Sequence, residues 1–181
     1  HPVVGIGALG SPIVQITERD KWIGWHQESF LALINKEPSD ELAEWLVGAV
    51  EDGIGDLYLD DLYEETLGES GPVLEPVHIK NPSESAIKRL NDYSVEQRDK
   101  HHKNTAASEL KGAISSVEQA DGSWLTRAKT HLFKSKRALA LSQLLSARLT
   151  FNKHFGVKPT KEGLTELAST GAGRTAIKQT L

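Results

Sequence analysis

The clearest chemistry in this sequence lies in a basic segment near its C-terminal end. Between Asp121 and Glu162 there are nine Lys or Arg residues and no acidic residue. Basic side chains at helical spacing suit a polyanion, because each phosphate they contact releases counterions bound to the nucleic acid. We therefore predict a nucleic-acid contact through eight of these residues: Arg127, Lys129, Lys134, Lys136, Arg137, Arg148, Lys153 and Lys158.

The rest of the chain carries the opposite charge, so the formal net charge of −4 conceals a division. Residues 1–79 hold 16 acidic and 3 basic residues, a net of −13, whereas residues 80–181 hold 9 acidic and 18 basic residues, a net of +9. A basic half can also pair with an acidic half, within one chain or between two copies. The pattern leaves three hypotheses open: nucleic-acid binding, charge pairing, and a solvated surface.

Other motifs give little support to catalysis. Residues 5–10 satisfy the string G-x-G-x-x-G, but Ser11 and Pro12 follow where a dinucleotide-binding fold needs a helix. The sequence has no cysteine, no P-loop and no histidine pair at a zinc-binding spacing. We predict no metal and no cofactor, assign no catalytic residue, and leave open whether the protein is an enzyme. Residues 163–177 approximate the pattern of a helix-turn-helix motif. We expect the four tryptophans to pack in the core.

The elements that must position these residues are mostly helical. Residues 1–25 contain two β-branched runs around a Gly-Ser-Pro turn, which predicts a β-hairpin at the edge of a sheet. Residues 26–79 predict an acidic helix and loop region that ends in a proline-rich linker. Residues 80–181 predict a basic helical region. The predicted fold class is α+β, predominantly helical: an N-terminal β-hairpin followed by a helical bundle.

Local signals mark several helix ends. Ser39 is a predicted N-cap, because a serine hydroxyl can accept from a free amide of the first helical turn. Ser94, with Gln97 three residues later, predicts the start of a separate helix by the capping-box pattern. A long helix is predicted over residues 123–155 and ends at Gly156.

Three blocks of the sequence resemble the DruA family of Druantia anti-phage defence proteins. Residues 130–138 and 173–177 form two of these blocks. The third combines residues 1–12 with residues 19–25, and its most specific piece contains Arg19, Asp20, Trp22, Gly24 and Trp25. The resemblance implies a role in bacterial anti-phage defence beside a large helicase-like partner. It also implies a sheet similar to that of N-acyltransferases, although the acyl-CoA-binding loop of those enzymes is absent after Trp25.

These observations give one leading hypothesis and two alternatives. The leading hypothesis is a defence component that associates with nucleic acid through its basic helices. The alternatives are an incomplete N-acyltransferase-like enzyme and a charge-paired assembly subunit that contacts a partner protein or a second copy. No apolar run is long enough for a membrane span and no targeting signal is visible, so we expect a cytoplasmic protein. The absence of Met suggests a piece of a longer chain.

Overall fold

The computed structural model describes residues 26–68, 71–110, 128–156 and 158–180, and these residues form eight α-helices. In chain order the helices are α1 (Gln27–Lys36), α2 (Asp40–Gly55), α3 (Asp60–Glu64), α4 (Val77–Lys80), α5 (Glu84–Leu110), α6 (His131–Phe155), α7 (Lys161–Ser169) and α8 (Gly171–Thr180). The predicted helical bundle is therefore confirmed.

The predicted α+β class is wrong. The described residues contain no strand and no sheet, and their only β-type pairing is an isolated antiparallel bridge between Thr66 and Pro72. The prediction depended on the local β-propensity of residues 1–25, a short-range signal that does not report how the rest of the chain packs. The predicted hairpin itself lies outside the described residues.

Helix α6 is the centre of the bundle, and α5 runs antiparallel beside it along the largest helix–helix contact. The other side of α6 receives α2, α7 and α8. Because α6 is covered from several directions, its buried residues occupy more than one face: Ser135, Ala138, Leu141, Ser142, Leu145, Ala147, Phe151 and Phe155. Gly156 ends α6 with a φ of +59°, a conformation that favours glycine, which confirms the predicted helix end. The predicted start is wrong, because Thr130 has an extended backbone and α6 begins only at His131.

Helix α2 shows how the acidic region reaches this core. The Ser39 hydroxyl accepts a hydrogen bond from the Leu42 amide at 3.1 Å, so the predicted N-cap is confirmed. The buried residues of α2 are three or four positions apart and face the bundle: Ala43, Leu46, Val50 and Ile54. These side chains belong to the same core cluster as Leu90 and Leu145, so the acidic and basic regions share one core.

Helix α5 is continuous through Ser94 and Gln97, so the prediction of a new helix at this point is wrong. Both residues are buried and hydrogen-bond to α6 instead of capping a helix. The Ser94 hydroxyl donates to the Ser135 carbonyl at 2.9 Å, and the Gln97 side-chain oxygen lies 2.6 Å from Nδ1 of His131. A capping-box pattern is local, whereas here the polar side chains make contacts between helices.

Two helices, α7 and α8, lie in the 163–177 region as the approximate helix-turn-helix pattern predicts. The break is at Thr170, and the glycines at 171 and 173, which we expected to form it, belong to α8. The approach is close at Gly173, where an added Cβ would lie 1.9 Å from the Leu167 carbonyl oxygen. The exposed charged residues of the pair are of both signs: Lys161 and Arg174 against Glu162 and Glu166. The pair therefore lacks the excess of cations that a helix presented to DNA usually carries.

No helix in the described ranges is both long and apolar enough to cross a membrane.

Candidate functional site

The most buried charges of the predicted nucleic-acid site point inward, to the acidic region. Arg137 of α6 forms an ion pair with Asp61 of α3, and the two side chains are 11% and 9% exposed. The guanidinium also donates to the Ala128 carbonyl at 2.5 Å and lies 5.5 Å from the centre of the Tyr58 ring. Arg137 therefore joins α3, α6 and the turn that precedes α6, and it is closed to a phosphate.

Lys134 makes a second contact of the same kind, one helical turn away, by pairing with Glu65. Burial alone would raise the pKa of Glu65, but the hydrogen bond and the positive charge of Lys134 outweigh it and hold this pKa below its usual range. Tyr93 of α5 is buried beside these groups, and burial together with the Glu65 charge raises the pKa of its hydroxyl. We call Asp61, Glu65, Tyr93, Lys134 and Arg137 the charged cluster.

Arg148 joins the two regions at a third point, further along α6. Its guanidinium donates to the Ile79 carbonyl at 3.1 Å and to a Glu51 carboxylate oxygen at 2.8 Å. The Arg148 side chain is 20% exposed, so most of its surface is covered by these partners. Arg148 therefore connects α6 to α2 and to the end of α4, and it too is engaged within the chain.

Lys153 and Lys158 lie at the far end of α6 in open ion pairs. Lys153 is 3.8 Å from Glu84, and Lys158 is 3.6 Å from Glu44. All four side chains are more than half exposed, so water screens both interactions.

Lys129 and Lys136 remain at the surface near the start of α6. Both are exposed, and neither has an ion pair with another described residue. The Lys136 ammonium lies 5.8 Å from the centre of the Phe133 ring. The remaining predicted residue, Arg127, lies outside the described residues, as do the family-motif residues Arg19, Asp20, Trp22, Gly24 and Trp25.

Sequence reasoning missed two exposed cations on α5, Arg98 and Lys103. The hydrogen bonds from Ser94 and Gln97 to α6 place this part of α5 beside the start of α6. Neither cation has an ion pair with a described residue. The available signal was the presence of three cations within residues 98–103, which also contain Asp99. That signal could be interpreted only once α5 was known to pack against α6. We call Arg98, Lys103, Lys129 and Lys136, four exposed cations at this end of the α5–α6 pair, the basic surface.

The described residues offer little else for chemistry. No group of three or more His, Asp or Glu residues among them is placed to hold a metal ion. A cavity of about 160 Å³ lies between α2 and α6, and its lining combines apolar side chains with an engaged ion pair: Val47, Val50, Phe151 and Phe155 with Glu51 and Arg148.

Trp45 corrects one further expectation. We predicted it in the core, but it is 50% exposed on the outer face of α2, where its ring packs against Phe30 at a centroid distance of 5.5 Å. The other three tryptophans lie outside the described residues.

Comparison of the chain with protein families, with curated proteins and with solved structures finds no match.

Proposed function

We propose that this protein binds nucleic acid through the basic surface, without sequence preference, as a component of a bacterial anti-phage defence system. The observation that carries the binding proposal is the sorting of the cations. Those that face the acidic region are paired, whereas Arg98, Lys103, Lys129 and Lys136 are exposed and have no described partner. Four exposed cations on adjacent elements suit phosphate groups, and phosphate contacts fix the position of a protein but carry no base information.

The defence role is supported by the resemblance to the DruA family. One of its blocks, residues 130–138, falls on the first turns of α6, where Lys134 and Arg137 belong to the charged cluster and Lys136 to the basic surface. In that setting the helicase-like partner would act on the nucleic acid that this chain holds.

The charged cluster has a supporting part in this proposal. Arg137 donates to the Ala128 carbonyl and thereby fixes the turn that carries Lys129. The hydrogen bond between His131 and Gln97 holds the same end of α6 against α5. The charged cluster therefore positions the basic surface, and the basic surface contacts the nucleic acid.

A binding titration tests the proposal with a matched pair of variants. Arg98→Ala with Lys136→Ala should weaken binding to unrelated duplexes alike and lower the salt slope of log K by about 1.8, or about 0.9 for each lost phosphate contact. The control, Lys153→Ala with Lys158→Ala, removes the same number of exposed cations at the other end of α6. Fluorescence anisotropy with two labelled duplexes of different sequence measures both. Equal loss in the two variants, or no binding by the wild type at about 50 mM salt, would contradict the proposal.

A further inference from the structure

The exposed apolar side chains gather on two surfaces of opposite charge. Six large apolar residues in the described ranges are exposed. Five of them lie on the two surfaces: Leu33, Trp45, Val95, Phe133 and Leu139. The sixth, Val77, lies apart from both. Leu33 lies on α1, which holds one Glu and one Lys, and Trp45 lies on α2, which holds five acidic residues and no basic one. Val95, Phe133 and Leu139 belong to α5 and α6, beside the basic surface. Exposed apolar groups rimmed by charge are typical of protein interfaces.

The acidic surface follows one face of α2. Glu41, Trp45, Gly48 and Asp52 are four, three and four residues apart, so they form a row about 16 Å long. Glu41 and Asp52 are exposed and have no ion pair with a described residue. A Cβ added to Gly48 would meet nothing within 4 Å, so the row is open to a partner between Trp45 and Asp52. We call this row, with the neighbouring Leu33, the acidic stripe.

The apolar residues beside the basic surface are brought together by the pairing of α5 with α6. The Ser142 hydroxyl donates to the Asn91 side chain at 2.7 Å. Val95 follows Asn91 by one helical turn, and Leu139 precedes Ser142 by about one turn. Because the two helices are antiparallel, Val95 and Leu139 lie at about the same position along the length of the helix pair. Arg98 lies about one turn after Val95 on α5, and Lys136 lies about one turn before Leu139 on α6. This surface therefore offers two exposed apolar side chains, each with one cation a helical turn away, Arg98 beside Val95 and Lys136 beside Leu139. Two aspartates also lie one turn from Val95: Asp92, which pairs with Lys88, and Asp99.

We propose that the acidic stripe of one molecule docks on the basic surface of a second copy of this chain, next to Val95 and Leu139. The two surfaces are complementary in charge, and each contributes exposed apolar side chains that would leave water on contact. The second copy is the occupant that fits, because this chain itself carries both halves of the match.

The arrangement has a consequence for the assembly that forms. The two surfaces are different parts of the molecule, so the contact is head-to-tail and leaves one free surface of each kind on a dimer. Further copies can add until a ring closes, and salt should weaken each contact because the paired charges lie at the surface. Nucleic acid on the basic surface would displace the acidic stripe, yet the self-association does not depend on the proposed function.

Two single-surface variants test the contact by sedimentation velocity at about 50 mM salt. Glu41→Gln with Trp45→Ala removes the acidic stripe but keeps every cation, and Arg98→Gln with Leu139→Ala disables the basic surface. The wild type should associate beyond the dimer as its concentration rises. Each variant alone should remain monomeric over the same range, since loss of a central Trp alone weakens an interface by about 30-fold or more. An equal mixture of the two variants should form 1:1 pairs that do not grow, because only one intact contact remains.

A matched control is Glu162→Gln with Val77→Ala, which removes a carboxylate and an exposed apolar side chain outside both surfaces and should associate like the wild type. A monomeric wild type, wild-type association in either single-surface variant, or a mixture that stays monomeric would each overturn the proposal. The acidic-stripe variant keeps the basic surface, so its nucleic-acid binding reports on the proposed function separately.

Discussion

The ion pair between Asp61 and Arg137 should contribute far more to stability than the exposed pairs of this protein. Replacing either residue alone, by Asp61→Leu or Arg137→Met, leaves an uncompensated charge whose side chain is about nine-tenths covered in the folded state. Loss of one partner of a buried pair costs about 3 to 5 kcal/mol, and we expect about 3 kcal/mol for each single change. The double change removes both charges, and the loss should then fall to about 1 kcal/mol, mainly for the hydrogen bond to the Ala128 carbonyl.

Urea unfolding of the four proteins, followed by circular dichroism, measures these free energies. The double variant should be more stable than the summed single changes predict, by about 5 kcal/mol. The exposed pair of Lys158 with Glu44, 3.6 Å apart, is the matched control and should show a coupling below about 0.5 kcal/mol. Single changes that cost less than about 1 kcal/mol, or strict additivity at Asp61 and Arg137, would refute the reasoning, because the cluster would then behave like a surface pair.

Two further predictions concern pH and packing. The pKa of Glu65 is lowered in the folded state, so its contribution to stability is complete above its ordinary value of 4.5 and is lost as the pH falls through the folded-state value. A melting-temperature series should therefore fall below about pH 4.5, and Lys134→Met should make that fall shallower; an unchanged profile would argue against the pairing. Gly173→Ala should cost about 3 kcal/mol in urea unfolding, because the new Cβ would lie 1.9 Å from the Leu167 carbonyl oxygen. Gly171→Ala, which meets nothing within 4 Å, is the control and should change stability by less than about 1 kcal/mol; similar effects at both positions would contradict this packing.

Sequence patterns correctly predicted helix ends, which depend on only a few neighbouring residues. Ser39 caps α2 and Gly156 ends α6 because each depends on backbone groups of the same helix end. The Ser94 and Gln97 pattern failed for the opposite reason. Their side chains hydrogen-bond to α6, and a contact between helices leaves no trace in local spacing.

The candidate site depended on contacts between distant parts of the chain. Composition revealed an acidic and a basic half, but it could not separate the cations that face inward from those that face water. Asp61 and Arg137 are 76 positions apart in the sequence, and Glu65 and Lys134 are 69 apart. Arg98 belongs to the basic surface only because α5 packs against α6. Trp45 was misplaced because residue type alone favours the core for a large aromatic side chain.

We propose that the acidic region pairs with part of the basic charge and that the basic surface makes the contact with a polyanion. The salt dependence of duplex binding by the wild-type protein tests it most directly, since the slope counts the phosphates that are contacted. The four cations of the basic surface predict a slope of log K against log salt of about −3.6. Between about 50 and 200 mM salt, four contacts correspond to a loss of affinity of about 150-fold. A slope near −7.2, which all eight predicted cations would give, would contradict the claim, and so would a slope near zero.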